Sequence, residues 1–171
     1  WRHDVDYSLE CPTEMAIFEQ GHGIKSTYHL MATRTLDILE VGREIQSRGH
    51  LLGAHVDLKL PRAAGVTTRE MVKACREQVG QLEDLGLDVG HRVSFHAPPH
   101  AALWRDIRGF QHAMSPAWRH RYAADSRGVL RVNLETFIAS HPSVQINLHP
   151  EWWFLPEPEA TAMRAVEADK P

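Results

Sequence analysis

The chain has 171 residues, 43% of them hydrophobic, and a formal charge of -3 with its 12 histidines neutral. That length and composition fit one folded domain with a sizeable core and exclude a disordered polymer. The near balance of charge gives no reason to expect nucleic acid or an anionic membrane as partner, and no apolar run approaches the roughly 18 residues of a membrane span.

Residues 2–6 read as a short strand ending in two acids. Pro12 opens a helix over 12–20, closed by Gly21 and Gly23. Residues 24–31, with Thr27, Tyr28 and Leu30, read as a buried strand. Leu36, Leu39, Val41 and Ile45 fall near helical spacing and stop at Gly49. Residues 51–56 form a short apolar strand. Thr67 and Thr68 precede a long amphipathic helix carrying Met71, Ala74, Cys75, Val79, Leu82 and Leu85, ended by Gly86. Residues 92–95 and 144–148 are strand-like, and 159–168 after Pro158 read as a last helix. The chain opens at Trp1, directly in a strand, so its natural N-terminus is expected to lie further upstream. Cys11 and Cys75 are its only cysteines, which makes a reducing cytoplasm the default.

Strands alternating with helices predict a parallel sheet with right-handed crossovers, open or closed as a barrel. In either form, chemistry gathers at the C-terminal ends of the strands. Polar residues at those ends should therefore converge. The first strand ends in Asp4 and Asp6, which share a face because one residue separates them. Two like charges so close are costly unless a cation lies between their oxygens. Further strand ends carry His55 and Asp57, then His96, then His149. Carboxylates with imidazoles suit Zn, Fe, Mn, Ni or Co.

Arg2-His3-Asp4-Val5-Asp6, Gly23 to Tyr28, Gly49 to His55, Phe95-His96-Ala97-Pro98-Pro99 and Asn147-Leu148-His149 occur in one order along about 150 residues. This series resembles the polysaccharide deacetylases, family 4 of the carbohydrate esterases. The resemblance implies an α/β fold, a distorted (β/α) barrel usually of seven strands. It also implies metal-dependent removal of an acetyl or formyl group from an amino sugar, in the making or modification of a cell-surface polysaccharide. The partner it implies is a carbohydrate or sugar nucleotide. The cofactor is one divalent ion, Zn first among Fe, Co, Ni and Mn. By the same resemblance Asp4 is the catalytic base, Asp6 and His55 are metal ligands, and His149 is the catalytic acid.

The pattern is broken twice. Lys59 stands where the family has its second metal histidine, and His96 stands where it has an arginine. A cation cannot ligate a metal, so the third ligand is sought elsewhere: His96 first, then Asp57, then His50. Asp125 and Arg127, in a polar turn, are expected to orient a catalytic group or to grip substrate. Trp152 and its neighbour Trp153 offer aromatic surface for a sugar ring, Trp152 being the assigned contact. Glu151 is placed to orient the His149 imidazole. Lys59 also motivates a rival reading, a carbohydrate-binding domain that does not cleave. A metal-dependent phosphoesterase ranks last, since Arg127, Lys59 and Arg2 are few cations for a phosphate site.

Overall fold

The computed structural model describes residues 1–6, 8–32, 35–125 and 128–155. In chain order it runs β1 (Arg2–Val5), α1 (Cys11–Gly21), β2 (Thr27–Leu30), α2 (Thr35–Ser47), β3 (Leu51–Asp57) and α3 (Thr68–Asp84). There follow β4 (Arg92–His96), β5 (Gln111–His112), β6 (Tyr122–Ala124), α4 (Leu134–Ala139), β7 (Gln145–Leu148) and α5 (Glu151–Phe154). The helix expected over 159–168, like Arg127, lies outside the described residues.

The seven strands form one sheet in the order β5-β4-β3-β2-β1-β7-β6, and every pairing is parallel. Read as a circle, this is chain order, interrupted between β5 and β6. The sheet is therefore curled, a distorted barrel that does not close its ladder there. A cross-sheet contact measures the curl. Ser94 on β4 donates a hydrogen bond to Asp4 on β1 at 2.9 Å, although β2 and β3 lie between. On a flat sheet three strand steps separate such residues by about 14 Å, beyond the reach of a serine and an aspartate.

Strand alternation then sorts the side chains. Val5, Tyr28, Leu30, Leu52, Ala54, Val56, Val93 and Phe95 are buried in one core cluster with Met15, Ile38, Ile45, Met71, Cys75, Val79 and Leu82 from α1, α2 and α3. The residues between them on the strands turn into the curl, and they are polar: Arg2 and Asp4 on β1, His29 on β2, His55 on β3, Ser94 on β4 and Asn147 on β7. Gly53 makes room within this interior, because a Cβ there would lie 2.6 Å from the His29 ring and 2.9 Å from the Arg92 carbonyl.

Local signals explain several element ends. Thr67 accepts from the Glu70 backbone N–H, and the Glu70 carboxylate accepts from the Thr67 N–H, a capping box that starts α3. Met71, Cys75, Val79 and Leu82 then fall on the buried face of that helix. β5, β6, α4 and α5 are not legible in the sequence, being two, three, six and four residues long. β5 and β6 hold too few positions to display strand alternation, and α4 and α5 span fewer than two helical turns. Both cysteines are free and buried, and among the described residues no helix is long and apolar enough to cross a membrane.

Candidate metal and catalytic site

The C-terminal ends of β1, β3, β4 and β7 meet at one end of the curl. Asp6, His55 and His96 bring one ligand atom each to within 4.8 Å of one another, a group that could hold a metal ion. Asp6 Oδ1 is 2.9 Å from His55 Nε2 and 3.3 Å from His96 Nδ1. His149 Nε2 stands 3.8 Å from the other Asp6 oxygen. Asp6 and His55 are buried, and His96 and His149 are partly open. Ala97, directly after His96, is left-handed at φ 38°, an uncommon backbone state for a residue with a Cβ.

Beneath this cluster a chain of hydrogen bonds fixes the His55 ring. The single Ser94 hydroxyl proton goes to Asp4 Oδ1, so the 2.6 Å contact between Ser94 Oγ and His55 Nδ1 must be donated by the imidazole. His55 Nε2 is thereby left to face Asp6. Two acceptors at 2.9 Å repel unless positive charge lies between them, either a proton on Nε2 or a cation. The donor set of one carboxylate and two imidazoles suits a divalent transition ion, so the residues present fit the metal that the sequence pattern implied.

Asp4 lies one layer deeper, 3% exposed. Besides Ser94 it accepts from Asn147 at 3.0 Å and is paired with Arg2, whose Nε also donates to Asn147 Oδ1 at 3.0 Å. Burial by itself would raise the Asp4 pKa. The Arg2 guanidinium, with His55, His29 and His149 around it, outweighs burial and holds the carboxyl far below the usual range. Asp6 behaves alike: burial opposes its charge, and His55, His96 and His149 hold its pKa well down.

Asp125, just past β6, is 1% exposed and bonded to His149. Its Oδ1 lies 2.6 Å from His149 Nδ1, both its oxygens lie 3.1 Å from the His149 backbone N–H, and Trp153 Nε1 donates to Oδ2 at 2.8 Å. Burial disfavours a charged His149. The Asp125 bond and the charges of Asp4, Asp125 and Asp6 win, raising its pKa to about 9.

The other expected residues fall elsewhere. Lys59 is exposed, left-handed at φ 54°, and its N–H donates to Asp57 Oδ1 at 2.8 Å, which turns Asp57 toward that loop. His50 is buried on the helical side, with Nε2 at 3.1 Å from the Ala16 carbonyl and Nδ1 accepting from the Ser26 N–H. Of the three candidates for a third ligand, only His96 is in the cluster. Glu151 does not orient His149: both of its carboxyl oxygens are buried without a hydrogen-bond partner, and burial raises its pKa to about 8. Trp152 is half-buried with an unpartnered Nε1, whereas Trp153 reaches Asp125 and is 56% exposed. Ser94, Asn147 and the pairing of Arg2 with Asp4 were not singled out from sequence. Their one signal is polarity at inward positions of buried strands.

No family model matches the chain, and no curated protein matches it in sequence. Solved structures do match. A family 4 carbohydrate esterase pseudoenzyme from Bacillus anthracis aligns over 98% of this chain and 58% of its own, at 15% identity and a TM-score of 0.60. A mutant of that pseudoenzyme with restored enzymatic activity aligns at the same identity and score. A peptidoglycan deacetylase from Bacillus subtilis aligns over 96% of this chain and 78% of its own, at 14% identity and a TM-score of 0.59. A family 4 carbohydrate esterase from Streptomyces lividans, in complex with acetate, aligns over 97% and 83%, at 12% identity and 0.56. The chain thus has the fold of the family 4 carbohydrate esterases, and it spans about 60% of the length of the first structures it matches.

Proposed function

We propose that this protein is a metal-dependent hydrolase that removes an acetyl or formyl group from the nitrogen of an amino sugar belonging to a cell-surface polysaccharide or its precursor. The observation that carries the reading is the Asp6–His55–His96 cluster, with the His55 Nε2 lone pair turned by Ser94 toward the Asp6 carboxylate. Asp6, His55 and His96 would hold the ion. When bound, a divalent ion there supplies Lewis-acid polarisation of the amide carbonyl and eases ionisation of water.

The chain's own groups do the rest. Asp125 accepts from Nδ1 of His149, which leaves Nε2 aimed into the cluster. In this reading Nε2 carries a proton at neutral pH, because burial is outweighed by Asp125, Asp4 and Asp6, which raise the pKa of His149 to about 9. Nε2 gives that proton to the amide nitrogen as the C–N bond breaks, and the oxygen of the attacking water forms the new C–O bond. The proton lost by that water passes to solvent, from which His149 is restored, and the free amine and the carboxylic acid are released. His149 thus serves as the acid, the role the sequence pattern implied. Asp4, expected from the sequence pattern to be the base, has both oxygens engaged and touches the Nδ1 edge of His55, the edge turned away from Asp6. We assign it to holding His55 through Ser94, as carboxylates commonly do behind metal-bound histidines.

The test is release of acetate or formate from N-acylated sugars and sugar nucleotides by protein loaded with Zn, Co, Mn or Ni. His149→Ala is expected to lower turnover by roughly 10²–10⁴-fold. Protein that holds metal one to one yet stays silent on every substrate would overturn the reading. Lys59 at the family's histidine position, together with the fold shared with a pseudoenzyme, favours the second reading in that event: a domain that binds the sugar without cleaving it.

A further inference from the structure

Trp153 combines two properties. The residue is 56% exposed, yet its indole N–H is bonded to the buried Asp125 carboxylate at 2.8 Å. The other Asp125 oxygen lies 2.6 Å from His149 Nδ1, so the indole and the imidazole share one anchor. The backbone adds to this restraint, since α5 starts straight after His149 and the Trp153 N–H donates to the Pro150 carbonyl at 3.1 Å. A tryptophan whose N–H is satisfied inside the protein presents only its apolar face to solvent. Because the ring is already fixed, a ligand that covers it loses little in side-chain freedom. Trp152 lacks these features, being half-buried with an unpartnered nitrogen.

We infer that Trp153, rather than Trp152, is the platform on which a pyranose ring stacks beside His149. The ligand class is a sugar ring with an apolar C–H face, lying flat on the indole with its N-acyl arm directed toward the cluster of Asp6, His55 and His96. This inference rests on the carbohydrate reading above and adds the residue that positions the ring. The shared anchor also gives stacking a consequence. A sugar seated on Trp153 lies at a fixed distance from His149, because both side chains are held by the same carboxylate.

Binding separates this inference from the hydrolase reading. The N-acetylglucosamine trisaccharide is titrated into metal-free full-length protein and followed by tryptophan fluorescence and by indole N–H resonances. Wild-type protein is expected to bind it with a perturbed Trp153 resonance. Trp153→Ala should weaken binding about tenfold or more, and Trp153→Phe, which keeps a ring but loses the N–H, should retain most of it. In metal-loaded protein, the alanine variant should raise KM far more than it lowers kcat. Unaltered binding by a folded Trp153→Ala protein would overturn the inference. So would equal loss in the alanine and phenylalanine variants, which would mark Trp153 as a prop for Asp125 only, or absence of binding by the wild type. Binding through Trp153 without hydrolysis under any metal would leave this inference standing and overturn the hydrolase reading instead.

Discussion

A histidine's value as a ligand depends on which of its nitrogens is free, and here serine and aspartate decide that for His55. The proton of Ser94 goes to Asp4, the Nδ1 proton of His55 goes to Ser94, and Nε2 is left for the cluster. His96 joins from the end of β4, and the exposed Lys59 takes no part. His96→Ala is therefore expected to weaken Zn or Co binding on the order of 100-fold, while Lys59→Ala leaves it unchanged. Competition against a chelating dye measures both. A loss at Lys59 equal to that at His96 would contradict this ligand set. The sequence made His96 a candidate on type and position alone. It ranked His96 ahead of Asp57 and His50, but it could not show which way each side chain faces. His50 is taken by Ala16 and Ser26, and Asp57 by the N–H of Lys59.

Among the elements, α3 is the most legible from sequence and shows why. It has seventeen residues, an apolar face at helical spacing, and a capping box at its start. Thr67→Ala removes the acceptor for the Glu70 N–H and is expected to cost about 1 kcal/mol. For a domain of this size that lowers the thermal midpoint by about 2–4 °C, with metal affinity unchanged because no ligand lies on this helix. Calorimetry on the two proteins checks it; an unchanged midpoint would mean the cap is replaced by water. β5 and β6 are the opposite case. They are held by pairing to β4 and β7, and their own residues declare little. Yet β6 delivers Asp125, the partner of His149. The polarity of the Asp125 turn is visible in the sequence, but its partner cannot be named until β6 and β7 are known to be neighbours.

Over the whole molecule, α5 packs against α1 and Glu151 is buried completely, with no hydrogen-bond partner for either oxygen. Burial raises its pKa from 4.5 to about 8. An acid with a raised folded-state pKa stays protonated in the folded protein while the unfolded chain ionises. Its contribution to stability is therefore fully favourable below pH 4.5 and declines as pH rises toward 8. Glu151→Gln keeps a neutral group there at every pH. It is expected to remove this decline, on the order of 5 kcal/mol in full, since each pH unit between 4.5 and about 8 is worth about 1.4 kcal/mol. Thermal unfolding of both proteins at pH 5 and pH 9 measures it. Parallel pH profiles for the two would show that the carboxyl is solvated or bonded after all.

The kinds of chemistry available, and the order in which they arrive, can be read along the chain alone. Asp4, Asp6, His55, His96 and His149 sit at or near strand ends because hydrophobic periodicity marks where strands stop, and periodicity is a local property. The contacts among these residues come from the tertiary fold. It put Asp6, His55 and His96 together, sent Asp4 beneath them to Arg2, Ser94 and Asn147, and gave His149 to Asp125 in place of Glu151. Those choices depend on the curl of the sheet, which brings β1 against β4 across two intervening strands. Curl accumulates over all seven strands, and no single stretch of chain encodes it.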